Sequence, residues 1–356
     1  MLQSVRKLVY PVAARFVSRA ALVEGPLRGT DLSVRCLLVG SSRFIEELKR
    51  RTWDEPRVLR QGRMLTPMLK RQVASASPDF DLCVAVVPMA WEPTFSGLYT
   101  FRGTEEIRQI VDTTPSWDEV KKAFTKKKRQ IVNNFEEKHG LSYRISKDPA
   151  DFDTFYHRMH VPHIRRRFGA LSDIDSYADM KSFFEQGLLL LVAKDGVDVA
   201  GALSLLQDGM VIFRRSGVLD GDESHVKIGA QTALYYFQLR YAVEHGLRAV
   251  DAMKSAPFLN DGIYRHKAEW GATVFADDEA ERWVYYFATG SSEKAARFFA
   301  VNPVVVQAAD GLRAVIGEPG AADAPRPSFE ELAERYLSRG LKGFTVVRPA
   351  ATFEVP

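Results

Sequence analysis

The order of elements that residues 201–288 can form constrains this chain more than any other feature. Ala202–Leu206 and Met210–Val218 read as apolar strands, the second carrying the adjacent arginines Arg214 and Arg215. A charged turn follows, with Asp220, Gly221, Asp222, Glu223, His225, Lys227 and Gly229. From Gly229 to His245, apolar side chains at Ala230, Ala233, Leu234, Phe237, Tyr241 and Ala242 recur every three or four residues, the spacing of an amphipathic helix. Gly246 supplies its stop. Leu247–Met253 reads as a short buried strand, Lys254–Gly262 as a polar loop containing Asn260, and Ile263–Trp270 as a short helix. Ala272–Ala276 and Trp283–Ala288 read as two closing strands. The pattern predicts one mixed sheet over residues 141–288, with the strand at 211–218 beside the strand at 248–253 and the long helix on one face. Upstream, Leu32–Gly40 and Asp81–Pro88 read as buried strands, and Arg43–Trp53 (capped by Ser41-Ser42) and Pro67–Ser75 as helices. Such alternation is α/β.

Two features of this stretch carry a family resemblance: Asp251 at the end of the central strand, and the run His266-Lys267-Ala268-Glu269-Trp270-Gly271. With the element order, they resemble the C-terminal half of the GNAT acyltransferase fold, and more narrowly its FemAB/CelD-like branch. The run matches that branch's Tyr-Lys-x-x-Trp/Phe-Gly segment, with His266 in place of the tyrosine. Gly140–Gly217 resembles the first half of the fold, so the resemblance covers residues 116–288. It implies an α/β chain with a GNAT-like domain at 141–290, in tandem with a degenerate GNAT-like domain at 1–115. A basic interdomain helix at 116–140 and C-terminal helices and tail at 291–356 complete the division.

The chemistry that the resemblance implies is acyl or aminoacyl transfer to an amine, with acyl-CoA or aminoacyl-tRNA as donor substrate and no tightly bound cofactor. An amine attacks an activated carbonyl, a donor stabilises the oxyanion, and the amine proton leaves to a base or a water chain. Lys267, His266, Asp251 and Arg215 are the expected catalytic residues. Lys267 is expected as an accessible cleft lysine meeting phosphate or developing charge, so that its removal leaves folding unchanged. Asp251 reads equally as a cap for the following loop. Arg214 and Arg215 alternate along one strand, so one faces the cleft and the other is solvated or pairs with Asp208 or Asp222. Lys227, Gly229 and Ala230, at the start of the long helix, are the expected donor-binding residues. They depart from the Gln/Arg-x-x-Gly-x-Gly/Ala pattern of acyl-CoA-using relatives, and Lys227 reads as well as a solvated lysine.

In Phe152–Gly169, His157, His160 and His163 are spaced by three and Arg165, Arg166 and Arg167 follow. Pro162 interrupts the histidine series and no carboxylate or cysteine joins it, so no metal is expected. In the related fold this segment covers the acceptor cleft. His160 and Arg167, with Arg214 and Asn260, are the expected acceptor contacts, for a small-molecule, sugar-nucleotide or peptide amine. Lys121, Lys122, Lys126, Lys127, Lys128 and Arg129 form a basic helix within 116–138, either a solvated face or a seat for a polyanion such as tRNA.

Composition excludes more than it proposes. The net charge of +4 tolerates an anionic partner without requiring one. Cys36 and Cys83 lie in apolar runs and read as buried thiols. No G-x-S-x-G, HExxH, GxGxxG or P-loop occurs, which weighs against hydrolase, metalloprotease and dinucleotide-binding functions. No stretch is long and apolar enough for a membrane span, no DNA partner is expected, and a cytoplasmic location is the default. Residues 1–23 carry Arg6, Lys7, Arg15 and Arg19 without an acid, and read as an N-terminal packing element or a targeting segment. Two other function classes remain open: a catalytically silent binding scaffold, if side chains fill the space between the strands at 211–218 and 248–253, and an RNA-binding protein on charge alone.

Overall fold

Where the hydrogen bonds of each strand go decides how this chain divides. The computed structural model describes residues 17–75, 79–133, 135, 139–169, 174–288, 292–320, 325–349 and 351–356. It separates into two units: unit 1 comprises Met1–Ile107, Ser255–Arg265 and Phe275–Pro356, and unit 2 comprises Arg108–Lys254 and His266–Val274. The breaks expected at 115, 140 and 290 are therefore redrawn, because downstream segments return to complete unit 1.

Unit 1 contains β1 (Val17–Pro26), β2 (Ser33–Gly40), β3 (Arg57–Leu65), β4 (Leu82–Pro88), β5 (Phe101–Gly103) and, from far downstream, β13 (Arg282–Ala288). Their order is β3-β1-β2-β4-β13-β5. β1 pairs antiparallel with β2 and β3, β2 pairs parallel with β4, and β13 pairs antiparallel with β4 and β5. The unbroken apolar run of β2 has a simple cause. Cys36 and Leu38 face a core shared with Ile45 and Leu48 of the helix Ser42–Thr52, while Leu37 and Val39 face a second core with Leu69 and Phe95. A strand covered on both faces reads as continuous rather than alternating. A second sheet follows the order β14 (Val304–Ala308), β15 (Gly311–Gly317), β16 (Phe344–Arg348) and β17 (Ala351–Val355). Among the described residues beyond Ala288 the chain therefore holds four strands beside the expected helices, which lie at Glu293–Val301 and Phe329–Tyr336.

Unit 2 has, among the described residues, β12 (Thr273–Ala276), β6 (Ile107–Asp112), β11 (Ala249–Ser255), β10 (Met210–Val218), β9 (Val197–Gln207), β8 (Gly187–Lys194) and β7 (Leu141–Ser146), in that sheet order. β7 to β10 form an antiparallel arm and β10 pairs parallel with β11, as expected from the sequence. Unit 1 repeats the plan, with an antiparallel arm β3-β1-β2 and a parallel β2/β4 junction. That repetition fits a tandem architecture with a degenerate first copy. The helix Ala230–Glu244 buries Ala230, Ala233, Leu234 and Phe237 against Leu188, Leu190, Ala202 and Val211.

Several expectations change. Trp283–Ala288 does not close the sheet of unit 2. Val284 and Tyr286 enter one core of unit 1 and Tyr285 and Phe287 the other, so the strand takes a place covered on both faces. In unit 2 the corresponding place, beside β11, holds β6, with β12 outside it at the edge. The basic helix is two helices, Trp117–Ala123 and Lys126–Val132, because Thr125 accepts a hydrogen bond from the Lys128 N–H and starts the second. Its residues 134 and 136–138 lie outside the described residues. Residues 17–23, the end of the stretch read as a packing element or a targeting segment, are part of strand β1; residues 1–16 lie outside the described residues.

Pro162 does not break the histidine-bearing segment. Helix Pro149–Thr154 runs into a π-helix at Phe155–His160 and then helix Val161–Phe168, with the Val161 N–H donating five residues back to the Tyr156 carbonyl. The widened turn absorbs the proline, which has no N–H to give. This π-helix lies directly on β10. A Cβ built on Gly217 would fall 2.3 Å from the Met159 carbonyl carbon and 2.5 Å from the His160 nitrogen. Gly217→Ala is expected to lower the stability of the full chain by about 1–3 kcal/mol in urea unfolding; an unchanged midpoint would contradict this backbone contact.

Candidate active site

Strand pairing in unit 2 stops early at one place. β10 and β11 pair through Met210↔Ala249, Val211↔Val250 and Ile212↔Asp251 and no further, although β10 continues to Val218 and β11 to Ser255. Two irregularities flank the parting. On β10 the register against β9 shifts between Phe213 and Arg215, leaving Arg214 as an extra residue. On β11, Met253 has φ 66°, a left-handed conformation that costs a non-glycine residue about 1–2 kcal/mol.

Asp251 and Lys267 hold Met253 there. Asp251 is fully buried. One carboxylate oxygen accepts the Met253 N–H at 2.8 Å and the other accepts Arg108 Nε at 2.8 Å. Lys267 is 4% exposed, and its Nζ donates to the carbonyls of Met253 at 3.0 Å and Lys254 at 2.9 Å. The expected accessible cleft lysine is therefore a buried brace of main-chain carbonyls, and Asp251 serves the capping alternative. The motif fixed the neighbourhood of Lys267 but not the direction of its stem, which the left-handed turn at Met253 determines.

His266, next in the run, is half-buried. Its ring meets Tyr235 edge-on at 4.8 Å, and Tyr235 packs at 4.5 Å on Phe213 and lies parallel to Trp270 at 6.0 Å. Burial lowers the His266 pKa to about 4. The charge of Lys128 contributes next, Glu269 opposes it, and Arg167 and Lys267 add to it. The imidazole is neutral at neutral pH, within a set of cations. Lys128, expected as a solvated or polyanion-binding lysine, is buried instead: it pairs with Glu269 at 2.9 Å and lies 4.8 Å over the Trp270 ring. Arg167 is exposed, and its charge reaches both His266 and Tyr235, so the structure draws it towards this cluster.

The paired arginines both lean towards helix Tyr177–Gln186 and the segment before it. Arg214 lies 4.7 Å over Phe183, while Arg215 pairs with Asp175 and donates to the Arg214 carbonyl at 3.0 Å. The extra residue at Arg214 cancels the simple alternation expected for a strand, and the partner of Arg215 is Asp175 rather than Asp208 or Asp222. His160 is 1% exposed and its Nδ1 lies 3.0 Å from the Ser216 carbonyl, which makes Nδ1 the donor. Burial lowers the pKa of His160 and of His163. At the long helix, Lys227 is exposed, Gly229 is left-handed at φ 88°, and Ala230 is the first buried residue. The Phe135 ring lies 2.8 Å from where a Gly229 side chain would begin. Asn260 does not join the set. It belongs to unit 1, accepting from Arg51 at 3.1 Å and donating to the Val301 carbonyl at 2.8 Å.

Sequence reasoning missed Arg108, Tyr235, Met253 and Asp175, and gave Lys128 a solvated or polyanion-binding place rather than a buried one. A Tyr235-Tyr236 pair opening a long helix was the visible signal for one of them. Among the described residues no group of three histidine, cysteine or carboxylate side chains gathers as a metal site would require. Removing the brace leaves buried carbonyls unpaired. Lys267→Ala is expected to lower stability by about 1–3 kcal/mol in urea unfolding, and adding Met253→Gly to restore about 1 kcal/mol by relieving the left-handed strain. If Met253→Gly gives no recovery, the brace does not act through that residue. Acid titration gives a second check. The folded His266 pKa of about 4 lies below its ordinary 6.5, so between those pH values the unfolded chain binds more protons and stability falls with acidification. His266→Gln is expected to flatten part of that slope, with His160 and His163 supplying the remainder; a slope unchanged by the substitution would refute the assignment.

Residues 122–268 match the family model described as an acetyltransferase (GNAT) domain. Among solved structures, the chain is similar to one titled as FemX, at 14% identity and TM-score 0.41, covering 75% of this chain and 84% of that one. It is similar to L-PGS from Bacillus licheniformis at 11% identity and TM-score 0.36, covering 74% and 83%. It is also similar to a GCN5-related N-acetyltransferase from Kribbella flavida, at 14% identity and TM-score 0.26, covering 77% and 90%. A search of the curated proteins finds no match to this chain. No helix among the described residues is long and apolar enough to cross a membrane. The family match agrees with the resemblance read from the order of elements and from the run that begins at His266: residues 122–268 are similar to a GNAT acetyltransferase domain.

Proposed function

We propose that unit 2 transfers an acyl or aminoacyl group from an activated donor to a primary amine. The observation that carries this reading is the parting of β10 and β11 after Ile212↔Asp251. Beyond that pair the β10/β11 ladder ends, and a main-chain amide at such a parting can hydrogen-bond a donor carbonyl and the oxyanion it becomes. Asp251 and Lys267 act as positioning residues that keep the strands apart. The amine nitrogen attacks the carbonyl carbon, an N–C bond forms, and the C–S bond of a thioester or the C–O bond of an ester breaks. The nitrogen's proton passes to the leaving thiolate or alkoxide, directly or through a base. Neutral His266 can accept a hydrogen bond from the amine or from a relaying water. Its low basicity suits a relay more than full proton capture. The charges of Arg167, Lys128 and Lys267 around it favour negative charge on the donor or in the transition state.

The donor class follows from what the full-length protein binds and uses. Mass spectrometry of the supernatant released by heat, followed by assays with acetyl-CoA and with aminoacyl-tRNA against a panel of primary amines, is expected to show transfer from one of the two. His266→Ala is expected to lower kcat about a hundredfold, the scale of losing one group that acts on the transition state, with its urea midpoint shifted little. EDTA is expected to leave the rate unchanged. No bound donor and no transfer from either would reject catalysis in favour of a binding scaffold. A rate lost to chelation would reject the metal-free mechanism.

A further inference from the structure

Unit 1 contains a cationic groove that the proposed acyl transfer does not use. Arg19 on β1 and Arg63 on β3 are direct partners across an antiparallel ladder. The next pair on the same face is Ala21↔Gln61, and Ala21 packs in the core with Ile45 and Leu48 of helix Ser42–Thr52. Both arginines therefore stand on the face that this helix partly covers. β3 is an edge strand and is exposed along almost its whole length, so the helix forms a wall on one side only. Between them is a cavity of about 420 Å³, within the range of small-ligand sites. Its lining includes Arg19, Arg63, Ser42, Val58 and one acid, Glu46, whose charge Lys49 in the same lining matches.

Charge is what makes this groove unusual within its own sheet. Arg35 and Arg57 both pair with Glu24, and Lys49 pairs with Glu46 at 2.9 Å. Arg19 and Arg63 have no hydrogen-bond or ion-pair partner among the described residues. Like charges directly opposite on a ladder are destabilising, so an unneutralised pair here has a standing cost that an anion would remove. The wall adds to the attraction: the 11-residue helix Ser42–Thr52 has no acid in its first turn, and Ser42 at its start lines the cavity.

We propose that the Arg19/Arg63 groove binds a phosphate monoester with a small apolar body. The phosphate would sit on the two guanidiniums, which match its oxygens in fork geometry, and the body would lie over Ala21, Ile45 and Val58. This does not depend on the reaction assigned to unit 2, and its failure leaves that reading intact.

Isothermal titration of the full chain tests it, with inorganic phosphate and glycerol 3-phosphate as soluble probes. Flotation with phosphatidylcholine vesicles, with and without phosphatidic acid, tests a lipid headgroup as the source. Binding is expected to weaken about tenfold or more in Arg19→Gln/Arg63→Gln, the scale of losing a charge-assisted contact. Arg60→Gln, whose ladder partner Leu22 lies on the opposite face, is expected to bind as wild type. The double variant is also expected to melt slightly higher than wild type without ligand, since the repulsion is gone. Soluble esters binding with this dependence support a metabolite; binding confined to phosphatidic acid vesicles with the same dependence supports a headgroup. No binding of any probe, binding that survives in the double variant, or equal loss in Arg60→Gln overturns the proposal.

Discussion

A single left-handed residue in the central strand sets the architecture of unit 2. Met253 turns β11 at the level where its pairing with β10 ends, and methionine does not adopt φ 66° unaided. The strain is offset on both sides of this one residue: the Asp251 carboxylate accepts from its N–H and the Lys267 ammonium donates to its carbonyl. Each of those charges is in turn constrained, Asp251 by Arg108 and Lys267 by a second carbonyl. Strain of this kind persists where the surroundings over-determine it, and it concentrates at functional sites.

The two units treat charge differently. In unit 2 the buried ions are matched: Asp251 with Arg108, Lys128 with Glu269, Lys267 with main-chain oxygens. Burying charge is costly unless it is paired and hydrogen-bonded. The same enclosure keeps His266 neutral among cations, giving the site a polar group without a charge of its own. In unit 1 the Arg19/Arg63 pair remains at the surface, where water bears most of the cost of leaving it unmatched.

Much of this was legible in the residues. Periodicity located β10 at its observed limits and the long helix within one residue at each end, since both have strong patterns and clear stops. The parallel β10/β11 contact followed from element order. Three things were not legible. β6 escaped because Gln109, fully buried, interrupts an otherwise alternating strand. The destination of β13 escaped because a short apolar run states that it is covered, not by which sheet. The roles of Lys267 and Lys128 escaped because a lysine's sequence position does not reveal whether its stem runs outward or back towards the carbonyls and carboxylates of its own fold. The Arg214/Arg215 pair failed for a related reason: alternation holds only while the ladder keeps register, and a bulge leaves little trace in composition.

The late arrival of β13 has a consequence for how the chain leaves the ribosome. The inner strand β4 of unit 1 finds its second neighbour only once residues 282–288 have been made, and one of the two cores that β13 joins also draws on Phe298, Phe299 and Val347. Unit 2 draws almost entirely on one uninterrupted run of about 150 residues and is available for folding earlier in synthesis. Vectorial synthesis therefore favours a domain order opposite to the order of the sequence, with the first-made strands held open for the last. A nascent chain paused near residue 275 would display the apolar edge of β4, the kind of unpaired strand on which aggregation starts.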